Sequence, residues 1–182
     1  MNRIVVIVIF LLSLVGCKEQ KKVAHELYDG PEIAMKNIDM LVSDSTIVKL
    51  RLVARTQLVL SNKDRDFPDG IYLRFYNPFG LVTSTLVADK GHYYSEKDYY
   101  TAEGNVIMRS LFSGDELSTE LLNWDPKEEK IYTDNFVTIK TEDEVLTGEG
   151  LEASQNFEEY TILKPSGTMS IMPKQNSQRG NE

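Results

Sequence analysis

Polar and apolar residues alternate along much of this 182-residue chain. The alternation is clearest over residues 47–54, where one side of the segment carries only apolar side chains: Val48, Leu50, Leu52 and Ala54. A period of two predicts a half-buried strand in an antiparallel sheet. Residues 56–60 continue this strand or form a second one, and residues 71–76 and 81–88 predict two more strands around a turn at 77–80.

A pattern of two strands and a turn occurs twice between Leu86 and Lys140. The first copy covers residues 86–109 and the second covers residues 117–140. Equivalent positions lie 31 or 32 residues apart: Ala88 and Thr119, Tyr93 and Trp124, Tyr100 and Tyr132, and Val106 and Val137. A third, fainter copy covers residues 145–163. Tandem repetition of this length predicts stacked units, none of which can bury its apolar face without a neighbour.

The sequence therefore predicts an all-β domain at residues 38–172, built as a sandwich, a jelly roll or an open barrel. Beyond the N-terminus, no apolar run has helical spacing for more than about two turns. Residues 173–182 are polar and predict a disordered tail.

The N-terminus has the composition of a secretory signal. Arg3 precedes an apolar run at residues 4–15 that is too short to span a bilayer. The sequence Leu14-Val15-Gly16-Cys17 resembles the bacterial lipobox, which predicts cleavage after residue 16 and lipidation of Cys17. Residues 17–37 then form a tether. The alternative is a soluble secreted protein with an unpaired cysteine. Cys17 is the only cysteine, so no disulfide forms within the chain.

The net charge of -8 argues against nucleic acid as a partner. Basic residues concentrate in residues 49–74 and acidic residues in residues 112–160. This asymmetry fits either ordinary solvated strand faces or two poles that dock different partners.

No catalytic constellation emerges from the sequence. The two histidines, His25 and His92, lie far apart, and His92 follows Gly91 in what reads as a turn. There is no nucleophile elbow, paired-histidine helix or glycine-rich phosphate loop. The carboxylates are numerous, and the sequence does not exclude a glycosidase activity that uses two of them. We expect a protein that is not an enzyme and that uses no metal or cofactor.

Several segments resemble the LptC family of lipopolysaccharide export in their order and spacing: residues 67–76 (FPDGIYLRFY), 84–89 (STLVAD), 103–106 (EGNV), 117–125 (LSTELLNWD), 131–134 (IYTD) and 148–150 (GEG). The resemblance covers residues 47–171. It implies an open antiparallel β-jelly-roll of the OstA type. It also implies a periplasmic protein that receives lipopolysaccharide from an inner-membrane ABC transporter and passes it to a soluble jelly-roll partner. Family members commonly keep an uncleaved transmembrane helix, whereas this chain has a lipobox, so we expect a lipid anchor in the inner membrane.

On this interpretation the acyl chains lie in an apolar groove, for which alternation suggests the following residues: Leu73, Phe75, Leu86, Ala88, Val106, Met108, Leu121, Val137 and Ile139. The N-terminal sheet edge, near residues 48–60, would face the transporter. The C-terminal edge, residues 160–171, would face the next bridge protein. Two alternatives stay open: a membrane-anchored lipoprotein that binds polysaccharide on outward aromatic side chains, and a purely structural assembly module with a solid core.

Overall fold

The computed structural model describes residues 30–44 and 46–170. The signal peptide, Cys17, most of the tether and the C-terminal tail lie outside the described residues. Within the described ranges the secondary structure consists of eleven strands without a helix. Accordingly, these ranges contain no helix with the length and hydropathy to cross a membrane.

The strands follow one another closely along the chain. Their bounds are β1 Ile33–Asp44, β2 Ile47–Val59, β3 Arg65–Phe67, β4 Ile71–Tyr76, β5 Val82–Ala88, β6 Lys90–Tyr94, β7 Tyr99–Ser110, β8 Glu116–Asp125, β9 Lys130–Lys140, β10 Glu144–Ser154 and β11 Tyr160–Ser170. All pairings between them are antiparallel. The predicted all-β jelly-roll fold, built from stacked hairpins, is confirmed.

Two long strands, β2 and β7, are connected to each other twice. One half of β2 pairs with β4, which continues through β5 to the second half of β7. The other half of β2 pairs with β3, which continues through β6 to the first half of β7. The sheet therefore has two halves. We call leaf A the half with β4 and β5 and leaf B the half with β3 and β6, and the strands β7 to β11 run through both.

The boundary between the leaves is a row of β-bulges. The pairing of β7 with β8 is interrupted between Glu103 and Val106, where Gly104 and Asn105 have φ angles of 74° and 46°. The β8–β9 and β9–β10 pairings are interrupted at the same level, between Thr119 and Asn123 and around Gly150. Because each bulge bends its strand and increases its twist, successive bulges fold the sheet so that its leaves face each other.

The core lies between the two leaves. Phe75 of leaf A meets Trp124 of leaf B edge to face, with ring centroids 5.4 Å apart. Leu50, Met108 and Ile139 from leaf A and Leu122 and Ile131 from leaf B are at most 1% exposed. Each leaf alone would expose one apolar face, so the two leaves stabilise each other by burial.

The beginning of the domain differs from the prediction. The tether was expected to extend to residue 37, but β1 begins at Ile33 and pairs with β2 along its whole length. The predicted N-terminal edge near residues 48–60 is therefore wrong, because β1 covers it. An edge strand with polar residues such as Lys36, Asn37 and Asp39 lacks the alternation that identifies a half-buried strand.

Candidate functional site

An unbroken row of apolar side chains crosses eight strands on the inner face of leaf A. Each member is the direct cross-strand partner of the next: Met40, Leu52, Leu73, Leu86, Met108, Leu117, Ile139 and Leu146. We call this set the apolar row. At about 4.8 Å between neighbouring strands, it spans about 33 Å from β1 to β10. Thr168 of β11 follows Leu146 at the C-terminal edge.

The structure brings eight of the nine predicted groove residues to the inner face. Leu73, Leu86, Met108 and Ile139 belong to the apolar row. Phe75, Ala88, Val106 and Val137 lie beside it on the same face, and all eight are at most 8% exposed. Their binding of lipid stays a prediction, but their common position is established.

Leu121 does not lie on the inner face. The bulge between Thr119 and Asn123 changes the phase of β8, so that Leu117 and Thr119 point inward before it and Leu122 and Trp124 after it. Leu121 is consequently half-buried on the outer face. Strict alternation from either end of β8 cannot reveal this change, because an extra residue shifts the phase without changing the composition.

Several inner residues were not predicted as groove residues from the sequence: Met40, Leu52, Leu117, Leu122, Trp124, Ile131, Leu146 and Leu151. The signal for Leu52 was present, since it belongs to the apolar face of the first alternating segment. The others required the cross-strand register, which brings together residues from distant parts of the chain.

The interior is closed in this conformation. The cavity between the leaves, lined by Leu73, Phe75, Leu86, Tyr100 and Leu122 among others, has a volume of about 30 Å³. That is room for about two water molecules, and pockets for larger ligands run from about 300 to 1,000 Å³. An acyl chain can therefore occupy the interior only if the leaves separate.

The ends of the apolar surface are less well covered than its centre. Ile38, Met40 and Val42 of β1 are only partly buried, as are Tyr160 and Ile162 of β11. Both strands are sheet edges, because each pairs with only one described neighbour. In addition, residues 164–170 of β11 are exposed on both faces. The inner apolar surface thus reaches solvent at the two edges where another sheet could add.

Aromatic rings line the interior in leaf B. Trp124 stacks on Tyr100 at 4.8 Å between centroids, and Tyr100 contacts Tyr93 at 4.5 Å. Burial raises the pKa of Tyr100 to about 12, and the neighbouring Tyr93 adds to this effect. These phenols therefore stay neutral at physiological pH and present an apolar surface.

His92 lies in strand β6 rather than in the predicted turn. Its Nδ1 contacts the carboxylate of Asp66, and its Nε2 lies 3.8 Å from Asp64. Asp64 also accepts hydrogen bonds from the Ser95 N–H and the Asn62 side chain, which together lower its pKa. This cluster joins β3 and β6. The described residues contain no group of three or more His, Cys, Asp or Glu that could hold a metal.

The sequence profile of one protein family, described as "Lipopolysaccharide-assembly, LptC-related", matches residues 4–168. The match includes β1 to β10 and nearly all of β11. The comparison with curated proteins gave no match.

Proposed function

Because the chain belongs to the LptC-related family of lipopolysaccharide-assembly proteins, which act in lipopolysaccharide transport at the periplasmic side of the inner membrane, we propose that it is a component of a periplasmic bridge. It shields the acyl chains of lipid A between its two leaves. It receives them from the inner-membrane ABC transporter and passes them to the next jelly-roll protein. It performs no chemistry of its own.

The observation that carries this proposal is the apolar row. Any antiparallel sheet with one apolar face pairs apolar residues directly across its strands, and what favours a lipid path here is that the row reaches part-covered edge strands. Transfer of an acyl chain of about a dozen carbons from an apolar environment into water costs on the order of 10 kcal/mol of free energy. A continuous apolar path removes that barrier, and the ATP-driven pump supplies the direction.

The two edge strands provide the connections. β1 offers its free edge to the transporter, and β11 offers its free edge to the next bridge protein. Pairing of edge to edge would extend the sheet and align the inner apolar surface of one protein with that of its neighbour. This proposal replaces the N-terminal edge expected from the sequence by β1.

The membrane attachment is the acylated Cys17. It lies outside the described residues, so its support is the lipobox-like sequence. The acyl chains enter the inner membrane, where the transporter resides. Several acyl chains at about 0.8 kcal/mol per buried methylene hold a protein firmly to a bilayer.

Photo-crosslinking in cells tests the function. A photoreactive residue is placed at Phe75, Met108 or Ile139 on the inner face, and at Ile107 or Thr138 on the outer face as matched controls. We expect lipopolysaccharide adducts only at the inner positions and only while the exporter hydrolyses ATP. Lipid adducts at neither set, with the protein folded and abundant, would contradict the proposal.

The closed interior favours a second candidate, a structural assembly module in which only the edges function. Such a module would give protein adducts at β1 and β11 but no lipid adducts inside. A third hypothesis is a lipoprotein that binds polysaccharide. It is supported by Tyr94 and Tyr99, whose rings stack with centroids 4.5 Å apart on the outer face of leaf B. It predicts saccharide binding that a Tyr94→Ala variant loses.

A further inference from the structure

Opposite the bend, the free ends of the two leaves meet at a mouth that the turn between β10 and β11 closes. Gln155 in this turn contacts both leaves. Its side-chain carbonyl accepts a hydrogen bond from Trp124 Nε1 of leaf B at 3.1 Å. Its backbone carbonyl accepts a hydrogen bond from Ser84 Oγ of leaf A at 3.4 Å. Its backbone N–H donates to the carbonyl of Glu129 at 2.9 Å. Gln155 therefore links leaf A to leaf B at the mouth.

Two cavities lie on either side of one aromatic contact at this mouth. The outer crevice has a volume of about 230 Å³ and is lined by Lys49, Phe75, Thr83, Glu129 and Gln155 among others. The inner cavity, of about 30 Å³, is lined by Phe75 and Trp124 together with residues of the apolar row. Phe75 borders both cavities, and its ring contacts Trp124, which borders the inner one.

The two leaves are held together very differently at the bend and at the mouth. At the bend the long strands run continuously from one leaf to the other. At the mouth, the polar contacts between the leaves are weak: the exposed Lys49–Glu129 ion pair at 3.0 Å, the Ser84–Gln155 hydrogen bond, and a contact of 3.5 Å between Tyr160 and Asp115. Exposed ion pairs contribute little to stability. Separation of the leaves therefore has its hinge at the bend and its opening at the mouth.

We propose that this mouth is a lateral portal through which acyl chains enter the space between the leaves. Phe75 and Trp124 form the gate, and Gln155 is the latch. The portal rests on the proposed function, since it presupposes that acyl chains occupy the interior. It explains how a closed interior loads lipid: the chains first occupy the outer crevice and then displace the Phe75–Trp124 contact.

A disulfide across the mouth tests the portal in the full-length protein, in membranes that contain the complete exporter. The pair Ser84→Cys and Gln155→Cys joins the leaves, and a photoreactive residue at Met108 reports lipid in the interior. We expect the oxidised pair to lower lipopolysaccharide adducts at Met108 by at least about tenfold, with recovery on reduction. The control pair is Ser118→Cys with Thr138→Cys, direct cross-strand partners within leaf A, and its oxidation should leave the adducts unchanged.

The outcomes separate the portal from the function on which it rests. Adducts at Met108 that persist with the mouth closed would overturn the portal and leave the proposed function intact. If adducts are missing at Met108 even with the cysteines reduced and with the unsubstituted mouth, the proposed function fails and the portal with it.

A second variant covers the case in which the disulfide does not form. Ser84→Ala removes the donor of the hydrogen bond from leaf A to the Gln155 backbone carbonyl and leaves the Trp124–Gln155 bond in place. Loss of one hydrogen bond should raise the equilibrium constant for opening of the mouth roughly twofold to tenfold. Because Trp124 is the only tryptophan, acrylamide quenching of its fluorescence measures the opening directly. We expect faster quenching and more adducts in Ser84→Ala than in Glu158→Ala, a change at an exposed residue of the turn between β10 and β11. Equal quenching and equal adducts in the two variants would overturn the portal.

Discussion

Replacement of Gly148 by alanine is expected to displace β11 and to lower the free energy of unfolding by about 2–3 kcal/mol. A Cβ at this position would lie 2.4 Å from Ile162 Cγ2, 2.5 Å from the Lys164 carbonyl oxygen and 2.9 Å from Pro165 Cα. Two of these atoms belong to the backbone of β11, so rotation of a side chain cannot relieve the overlap. The strand must move away from β10, and urea denaturation of the purified protein measures the loss.

Gly167→Ala is the matched control, because it changes a glycine in the same strand pair. Its Cβ would approach only one atom, Thr147 Oγ1 at 3.1 Å, which can turn aside. We therefore expect a loss below about 1 kcal/mol. If both variants lost the same stability, the close approach of β11 at Gly148 would not be the cause. On the proposed function, Gly148→Ala should also weaken attachment of a bridge protein at β11, since it disturbs this edge strand.

Replacement of Leu117 by alanine is expected to lower the free energy of unfolding by about 3 kcal/mol, within the range of 2–5 kcal/mol for buried leucines. Leu117 is 0% exposed and lies between Met108 and Ile139 at the centre of the apolar row. The interior has little free volume, so the side chains around the lost atoms cannot collapse fully.

The control for Leu117 is the next residue along β8. Ser118 points to the outer face, and Ser118→Ala should change the stability by no more than about 0.5 kcal/mol. Chemical denaturation of the two variants side by side measures this difference in the free energy of unfolding. Similar losses in both would contradict the assignment of the inner face in this part of the sheet.

Alternation and repetition were enough to predict the class of fold and most of its strands. The predicted strand at residues 71–76 coincides with β4, and the two clear repeats correspond to the segments from β5 to β9. These elements are half-buried, so each has one apolar and one polar face, and period-two patterning is the direct result. Alternation also predicted that Val106 and Met108 share one face of their strand, as do Val137 and Ile139, but it did not identify which face is the inner one.

The remaining features depend on interactions between distant segments. The bulge in β8 reversed the face of Leu121, and nothing in the local composition marks where the extra residue lies. β1 was not predicted because it is an edge strand. It pairs with β2 on one side only, and most of its side chains are exposed, so its sequence lacks the alternation of a half-buried strand. The closed mouth at Gln155 joins residues more than 70 positions apart, a proximity that only the folded sheet creates.

If acyl chains lie along the apolar row, the methionine methyl groups of the unmodified protein detect them there. Met108 lies at the centre of the row and Met40 at one end, whereas Met169 is 72% exposed on β11, next to Thr168 but on the opposite face of the strand. A lipid with a spin-labelled acyl chain broadens the NMR signals of methyl groups near the chain. We predict that lipid binding broadens the methyl signal of Met108 most, that of Met40 clearly, and that of Met169 least. Broadening of Met169 with an unchanged Met108 signal would contradict the account.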